Sequence, residues 1–401
     1  MFQKLSARLR NSDIDYWLLV PLLTGTVLTQ IITAIIRITT SYRAVELGLS
    51  IVWLGVIAAV FALFPILIAV QTGRLIDRGH DARTLWAGSF LLMVAAGGFV
   101  LWPSAVGLMV VTAFMGIGHL MLMASQQMLC LRAGGPGSLE RIFGNYMVAG
   151  AVGQAIGPYV VGWFGGNATV PPTQHLFTVA LVVAVLGFVI VLTIRPGRDR
   201  ERAKVDAAPV PVSALLRVPG LLTVIIAGVV MVTASDIILI YIPLLGAERS
   251  IDVHDIGLLL TVRALASMTA RLFYPRMVEA AGHWPLMVAS TVACAAAFGA
   301  LAVPLPLVGM HVIMVVMGFS FGLATTLSIT IVVDLTTTGA RGTANSLRIM
   351  GNRLGQFVLP FGAGLVAAAA GLAGLLLAMA AAIAASAAAM HFKRPRGEPA
   401  E

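Results

Sequence analysis

The chain has 401 residues, of which 59% are apolar and only 11% charged. A soluble globular domain carries about 25% charged residues, so this composition excludes a conventional cytosolic enzyme, a disordered scaffold and a coiled coil. The 26 Lys and Arg against 17 Asp and Glu leave a net charge of +9, which in a water-soluble chain would point to nucleic acid and here is first weighed against membrane topology.

A membrane-spanning helix needs ~20 largely apolar residues. Apolar runs between charged or Pro/Gly breaks predict twelve of them, at 16–39, 51–76, 84–103, 106–131, 141–165, 173–195, 219–246, 253–279, 285–303, 306–334, 342–370 and 371–392. The first run has no small-residue cleavage site behind it and reads as a retained span. Arg195 to Pro211, rich in charge, Pro and Ala, reads as a cytoplasmic linker. The expected organisation is an all-α membrane protein: a six-helix bundle over 1–195, a linker over 196–214, a second bundle over 215–392 and a cytoplasmic tail over 393–401.

Loop charges orient these spans. With the N-terminus inside, 19 of the 26 basic residues fall on cytoplasmic segments, Arg43 and Arg249 lie outside, and Arg37, Arg263, Arg271, Arg348 and Arg353 lie within spans. That asymmetry is the positive-inside pattern, and it places both termini in the cytoplasm of an inner-membrane protein. It also explains the basic balance without nucleic acid. Cys130 and Cys294 both fall in apolar runs, so neither a disulfide framework nor a thiolate metal site is expected. No nucleophile–base or metal-ligand grouping occurs within the spans, so no enzyme activity and no cofactor are expected either.

The two halves repeat each other at a nearly constant offset of 202 residues. Met115-Gly116 recurs as Met317-Gly318, and Gly153-Gln154, Pro158 and Gly162 recur as Gly355-Gln356, Pro360 and Gly364. Gly55, Arg74 and Asp77 recur as Gly257, Arg276 and Glu279. Two parallel six-helix repeats are an architecture of alternating-access transporters.

The loop after span two, from Gly73 through Asp77-Arg78 and Gly79 to Arg83, resembles motif A of the major facilitator superfamily. Gly79 comes one position early, and only Arg83 remains of the usual basic pair. Span five carries Gly144, Gly153, Gly157-Pro158 and Gly162, similar to that family's motif C, with Val161 in place of one glycine. The resemblance implies the superfamily's twelve-span fold and a gating latch in which Asp77 approaches the N-terminus of span eleven, where the helix dipole favours negative charge and Arg341 lies nearby. Motif C is associated with antiporters. Its physical basis is close helix approach along a glycine face, with a proline that can flex.

A charge inside a span is costly, which makes each one a functional candidate. At ~1.5 Å rise per residue, Arg263 lies ~15 Å from one end of span eight and Arg353 ~16 Å from one end of span eleven, both near the bilayer midplane. There, transporters of this architecture hold their substrate. Arg271 and Arg348 sit nearer the cytoplasm and can snorkel. In span one, Thr26, Thr29, Gln30, Thr33 and Arg37 fall on one face, as a water-lined wall requires. His119, Met123 and Gln127 form a similar stripe in span four. Asp236, in span seven, is read either as a charge partner for these arginines or as a protonatable coupling site.

Uncompensated guanidinium groups suit a carboxylate or phosphate, which they hold in bidentate fashion. The function expected from the sequence is therefore secondary transport of a small organic anion, with protons or a counter-anion as coupling partner and the protein a monomer in the lipid bilayer. The alternative is a proton-linked exporter of lipophilic drugs or metabolites.

Overall fold

A computed structural model describes residues 14–133, 138–195, 212–337 and 340–392. The expected tail and most of the expected linker lie outside these residues. Eleven helices among them are long and apolar enough to cross a membrane. They are α1 (Tyr16–Glu46), α2 (Ile51–Asp77), α3 (Asp81–Leu101), α4 (Ala105–Arg132), α5 (Leu139–Gly165), α6 (Thr173–Leu192), α7 (Leu221–Glu248), α8 (Val253–Ala281), α9 (His283–Leu301), α10 (Leu307–Asp334) and α11 (Arg341–Phe392). A short helical turn, Val212–Leu215, precedes α7.

The count of eleven against the twelve predicted has a local reason. The 52 residues of α11 run on past Gly371, whose φ of 70° and ψ of −177° interrupt the helix. At ~1.5 Å per residue the whole run is more than twice the thickness of a bilayer core, so it supplies two passes. The break falls at the start predicted for the twelfth span. The portions on either side of Gly371 are called here the first and second limbs of α11.

The chain divides into two compact units. One is drawn from Met1–Leu49, Val60–Arg202 and Gly246–Thr261, the other from Ser50–Ala59, Ala203–Leu245 and Val262–Glu401. The first turns of α2 therefore group with the second unit, and the first turns of α8 with the first. Glycine makes both groupings possible. A Cβ on Gly257 would meet the Gly162 Cα at 2.6 Å, and one on Gly55 would meet the Gly364 Cα at 3.0 Å. These crossings are equivalent under the 202-residue repeat.

In the first unit, Asp15 caps α1 by accepting from the Trp17 and Leu18 amides, while its own amide donates to the Ala133 carbonyl at the end of α4. At the opposite end of α1, Arg43 donates to Gln174 of α6 at 2.9 Å and lies over the Phe177 ring. Arg43 is only 5% exposed. The charge read from sequence as a loop residue is thus an internal brace between helices.

Candidate functional site

The second unit gathers the central charges into one connected cluster. In α7, Asp236 accepts a 2.7 Å hydrogen bond from Gln356 Nε2 of the first limb of α11. Gln356 Oε1 in turn accepts from Arg353 Nη1 at 3.2 Å. One residue before Asp236, Ser235 Oγ accepts from Arg263 Nη1 of α8 at 2.9 Å. Arg263 is buried, with its guanidinium 5.8 Å from the centre of the Phe321 ring of α10.

Small residues bring these elements together. A Cβ on Gly318 would collide with the Arg263 carbonyl, and one on Gly355 with the Val229 side chain of α7. These close approaches let α8 and α10, and α7 and α11, meet at the level of the charged groups. Two further buried polar atoms lie beside the cluster in sequence, Thr233 Oγ1 and Asn352 Oδ1, and neither has a hydrogen-bond partner. Buried polar atoms in that state normally meet water or a ligand.

The repeat shows which chemistry belongs to one half alone. Subtracting 202 from Asp236, Arg353 and Arg263 gives Ala34, Ala151 and Phe61. The packing at the last position is shared, because a Cβ on Gly116 would strike the Phe61 carbonyl as one on Gly318 would strike that of Arg263. Common backbone geometry therefore carries an aromatic ring in the first unit and a guanidinium in the second. The neutral members Gln356 and Ser235 have polar counterparts, Gln154 and Thr33.

The first unit sets a cation among aromatic rings. Arg37 lies over the Phe61 ring at 5.1 Å, and that ring is 5.6 Å from the His119 ring. Gln30 Nε2 and the Tyr146 hydroxyl both donate to the Met123 sulfur, at 3.6 and 3.5 Å. The expected water-lined wall of α1 is not what forms. Thr26, Thr29 and Thr33 are buried, and each hydroxyl donates to the carbonyl four residues earlier in its own helix. Such back-bonding satisfies a hydroxyl within the helix and leaves it little need of solvent. On α4, the buried amide is Gln126, which donates to Thr29 Oγ1 at 3.4 Å, whereas Gln127 is exposed.

The motif residues separate by environment. On α5, added Cβ atoms on Gly153 and Gly157 would strike α1, and one on Gly162 would lie 2.9 Å from the His254 carbonyl of α8. Pro158 lies within the same helix. Gly144 has nothing within 4 Å, and neither has Gly73 at the end of α2. The turn after α2 is made by Gly79, with φ of 83°, while Asp77, Arg78 and Arg341 are exposed.

Sequence reading did not single out Ser235, Gln126, Tyr146 or Phe321, and it noted Gln356 only as a repeat position. Isolated uncharged residues in an apolar helix carry no signal of what they face. The 202-residue register is the signal that points to Gln356, as an amide retained in both halves while acid and base appear in one.

Two apolar helical units repeating one another, with a charged cluster halfway along the helices of the second, define a polytopic transporter fold. Family comparison agrees: the model of the Major Facilitator Superfamily matches residues 22–249 and 224–401. The chain belongs to that superfamily. Compared with curated proteins, the sequence has no match. Among solved structures it is similar to the nucleoside transporter NupG, with TM-score 0.76 and 15% identity over 95% of this chain and 100% of that one. A bacterial homologue of the human lysosomal transporter Spinster, inward-facing and occupied, aligns with TM-score 0.78 and 14% identity, over 95% and 98% of the two chains. The inward-open xylose transporter XylE from E. coli aligns with TM-score 0.73 and 14% identity, over 95% and 97%. At these identities the likeness is one of fold.

Proposed function

We propose that this multi-pass membrane protein is an alternating-access secondary transporter of a small organic anion, with Arg263 and Arg353 as the anion-binding groups. The observation that carries the reading is the charge content of the cluster. Among the described residues, two guanidinium groups and one carboxylate, Asp236, are joined through Ser235 and Gln356 halfway along α7, α8 and α11. An anion entering there relieves the excess positive charge, which a neutral solute does not. Gln30, His119 and Gln127 are proposed as polar contact positions within the first unit. By the loop-charge pattern, the protein lies in the inner membrane with cytoplasmic termini, and the turn bearing Asp77 and Arg78 is its proposed gating element.

The test is uptake into proteoliposomes of labelled mono- and dicarboxylates beside uncharged nucleosides and pentoses. The uncharged probes are included because the similar structures bear the names of nucleoside and xylose transporters. Expected is saturable carboxylate uptake, abolished in both Arg263→Gln and Arg353→Gln. Uptake of neutral probes alone, unaffected by either substitution, would overturn the reading.

A second reading is a proton-linked exporter of lipophilic compounds, favoured by the glycine face of α5, where Gly153 and Gly157 press against α1. A resistance assay in cells lacking their native exporters separates the two. Protection lost in Asp236→Asn but retained in both arginine variants supports the exporter.

A further inference from the structure

Three side chains of the first unit meet at one sulfur. From α1, Gln30 Nε2 donates to Met123 Sδ of α4 at 3.6 Å, and from α5 the Tyr146 hydroxyl donates to the same atom at 3.5 Å. Packing brings them there. A Cβ on Gly153 would lie 2.7 Å from the Gln30 Cβ, so α5 presses on α1 beside this residue. Tyr146 stands two turns before Gly153 on the same face of α5. Gln30 is 8% exposed and Tyr146 3%, so neither donor has much contact with water. A thioether is a weak acceptor, and a buried donor gains more from an oxygen. We propose that Gln30 and Tyr146 form a subsite for a hydroxyl or carbonyl oxygen of a bound solute, with Met123 as a positioning residue that holds both donors until that oxygen displaces its sulfur. The subsite lies within the first unit and does not require the solute to be an anion, so it goes beyond the reading above.

No covalent bond changes in the exchange. Two donors aimed at one sulfur can converge equally on one oxygen, which they hold at ~2.8–3.0 Å. Methionine is unbranched and turns about several single bonds, so its sulfur swings aside at little cost. The approach is along α4, where Met123 is half-buried and Gln127, one turn further on, is exposed. Gln127 also stands within side-chain hydrogen-bonding reach of the Tyr146 hydroxyl. A hydroxyl accepts and donates at once, so an amide donating to the Tyr146 oxygen leaves the phenolic hydrogen to the solute.

The repeat separates this arrangement from the needs of helix packing. Adding 202 to Gln30, Met123 and Tyr146 gives Val232, Thr325 and Arg348. The Thr325 hydroxyl donates to the Phe321 and Gly322 carbonyls of its own helix, and Arg348 donates to Asn345 three residues before it. In the second unit these positions are thus apolar or bond within their own helix. The packing common to both halves therefore does not call for two donors from different helices on one atom.

Equilibrium binding of labelled lactate, ribose and uridine to the full-length protein in lipid nanodiscs tests the subsite. For each probe that binds, Tyr146→Phe and Gln30→Leu are expected to weaken affinity about three- to tenfold, the worth of one neutral hydrogen bond. Met123→Leu keeps the volume and removes the competing acceptor, so affinity is expected to rise by a similar factor. Damage to the fold weakens binding, and only loss of a competitor strengthens it. A Met123→Leu protein that binds no more tightly than wild type overturns the proposal, as does binding of none of the three probes. Wild type carrying methyl-labelled methionine gives a second measurement by NMR. Its Met123 signal, recognised by its absence from Met123→Leu or Met123→Ile, is expected to move on saturation with the bound probe, and a signal that stays in place overturns the proposal. Ribose or uridine bound in place of lactate, with this pattern of variants, overturns the anion reading alone. Lactate bound with unchanged affinity in all three variants overturns the subsite alone.

Discussion

Arg132 at the end of α4 reaches Asp81 at the start of α3, with 2.7 Å between Nη1 and Oδ2 and the carboxylate side chain only 1% exposed. Adding 202 to each number gives His283 and Asp334, which meet at 3.2 Å at the start of α9 and the end of α10. The repeat has kept the joint and reversed its polarity. Burial differs as well, since the Asp334 side chain is 50% exposed.

That difference sets unequal consequences. Arg132→Ala strands a buried carboxylate and is expected to cost roughly 3 kcal/mol. His283→Ala removes a solvent-screened contact and is expected to cost less than about 1 kcal/mol. Unfolding of the two variants in detergent measures both, and equal losses would contradict the burial argument.

Arg43 is held by geometry as well as by charge. It donates to Gln174, lies 3.5 Å from Glu46, and covers the Phe177 ring. Glu46 in turn accepts from the Thr173 hydroxyl, and Gln174 donates to the Val100 carbonyl at 2.7 Å. Lysine cannot reproduce a planar guanidinium that stacks and donates at once. Arg43→Lys is therefore expected to lower stability by about 1–2 kcal/mol, read as an earlier thermal transition. Full stability in the lysine variant would show that charge alone suffices.

The glycines of α5 are not equivalent. Gly144→Ala adds a methyl group in open space and is expected to be neutral or stabilising by up to about 1 kcal/mol through helix propensity. Gly153→Ala drives its methyl into the Val27 carbonyl of α1 and is expected to cost about 1–3 kcal/mol. Melting curves of the pair decide it, and a harmless Gly153→Ala would refute the contact.

The two repeat-related crossings give a further test. Gly257→Val meets Gly162 and the Pro158 carbonyl, the latter 2.7 Å from the added Cβ, while Gly55→Val meets the Pro360 carbonyl at 2.5 Å. Each is expected to break its crossing and to reduce transport at least about tenfold, since overpacking costs a state ~1–3 kcal/mol. A cysteine placed next to either glycine should then gain reactivity toward a water-soluble maleimide. Unchanged reactivity in both variants would show that the crossings tolerate side chains.

Much of this protein follows from its sequence alone. Hydrocarbon leaves a span no alternative to internally hydrogen-bonded helix, so long apolar runs such as 16–39 and 51–76 fix the class and the helices by themselves. Gly371 stops one helix and begins the next because a φ of 70° is open to glycine at no steric cost. The 202-residue register likewise needs no coordinates. Tertiary structure decided what the embedded polar groups face. Helical spacing put Thr26, Thr29 and Thr33 on one face, but it cannot tell a water-lined wall from hydroxyls bonded to their own helix. It favoured Gln127 where packing buries Gln126. It found Asp236 and Arg353 by their charge and passed over the neutral Gln356 that joins them, because a hydrogen bond between residues 120 positions apart exists only once α7 and α11 are packed.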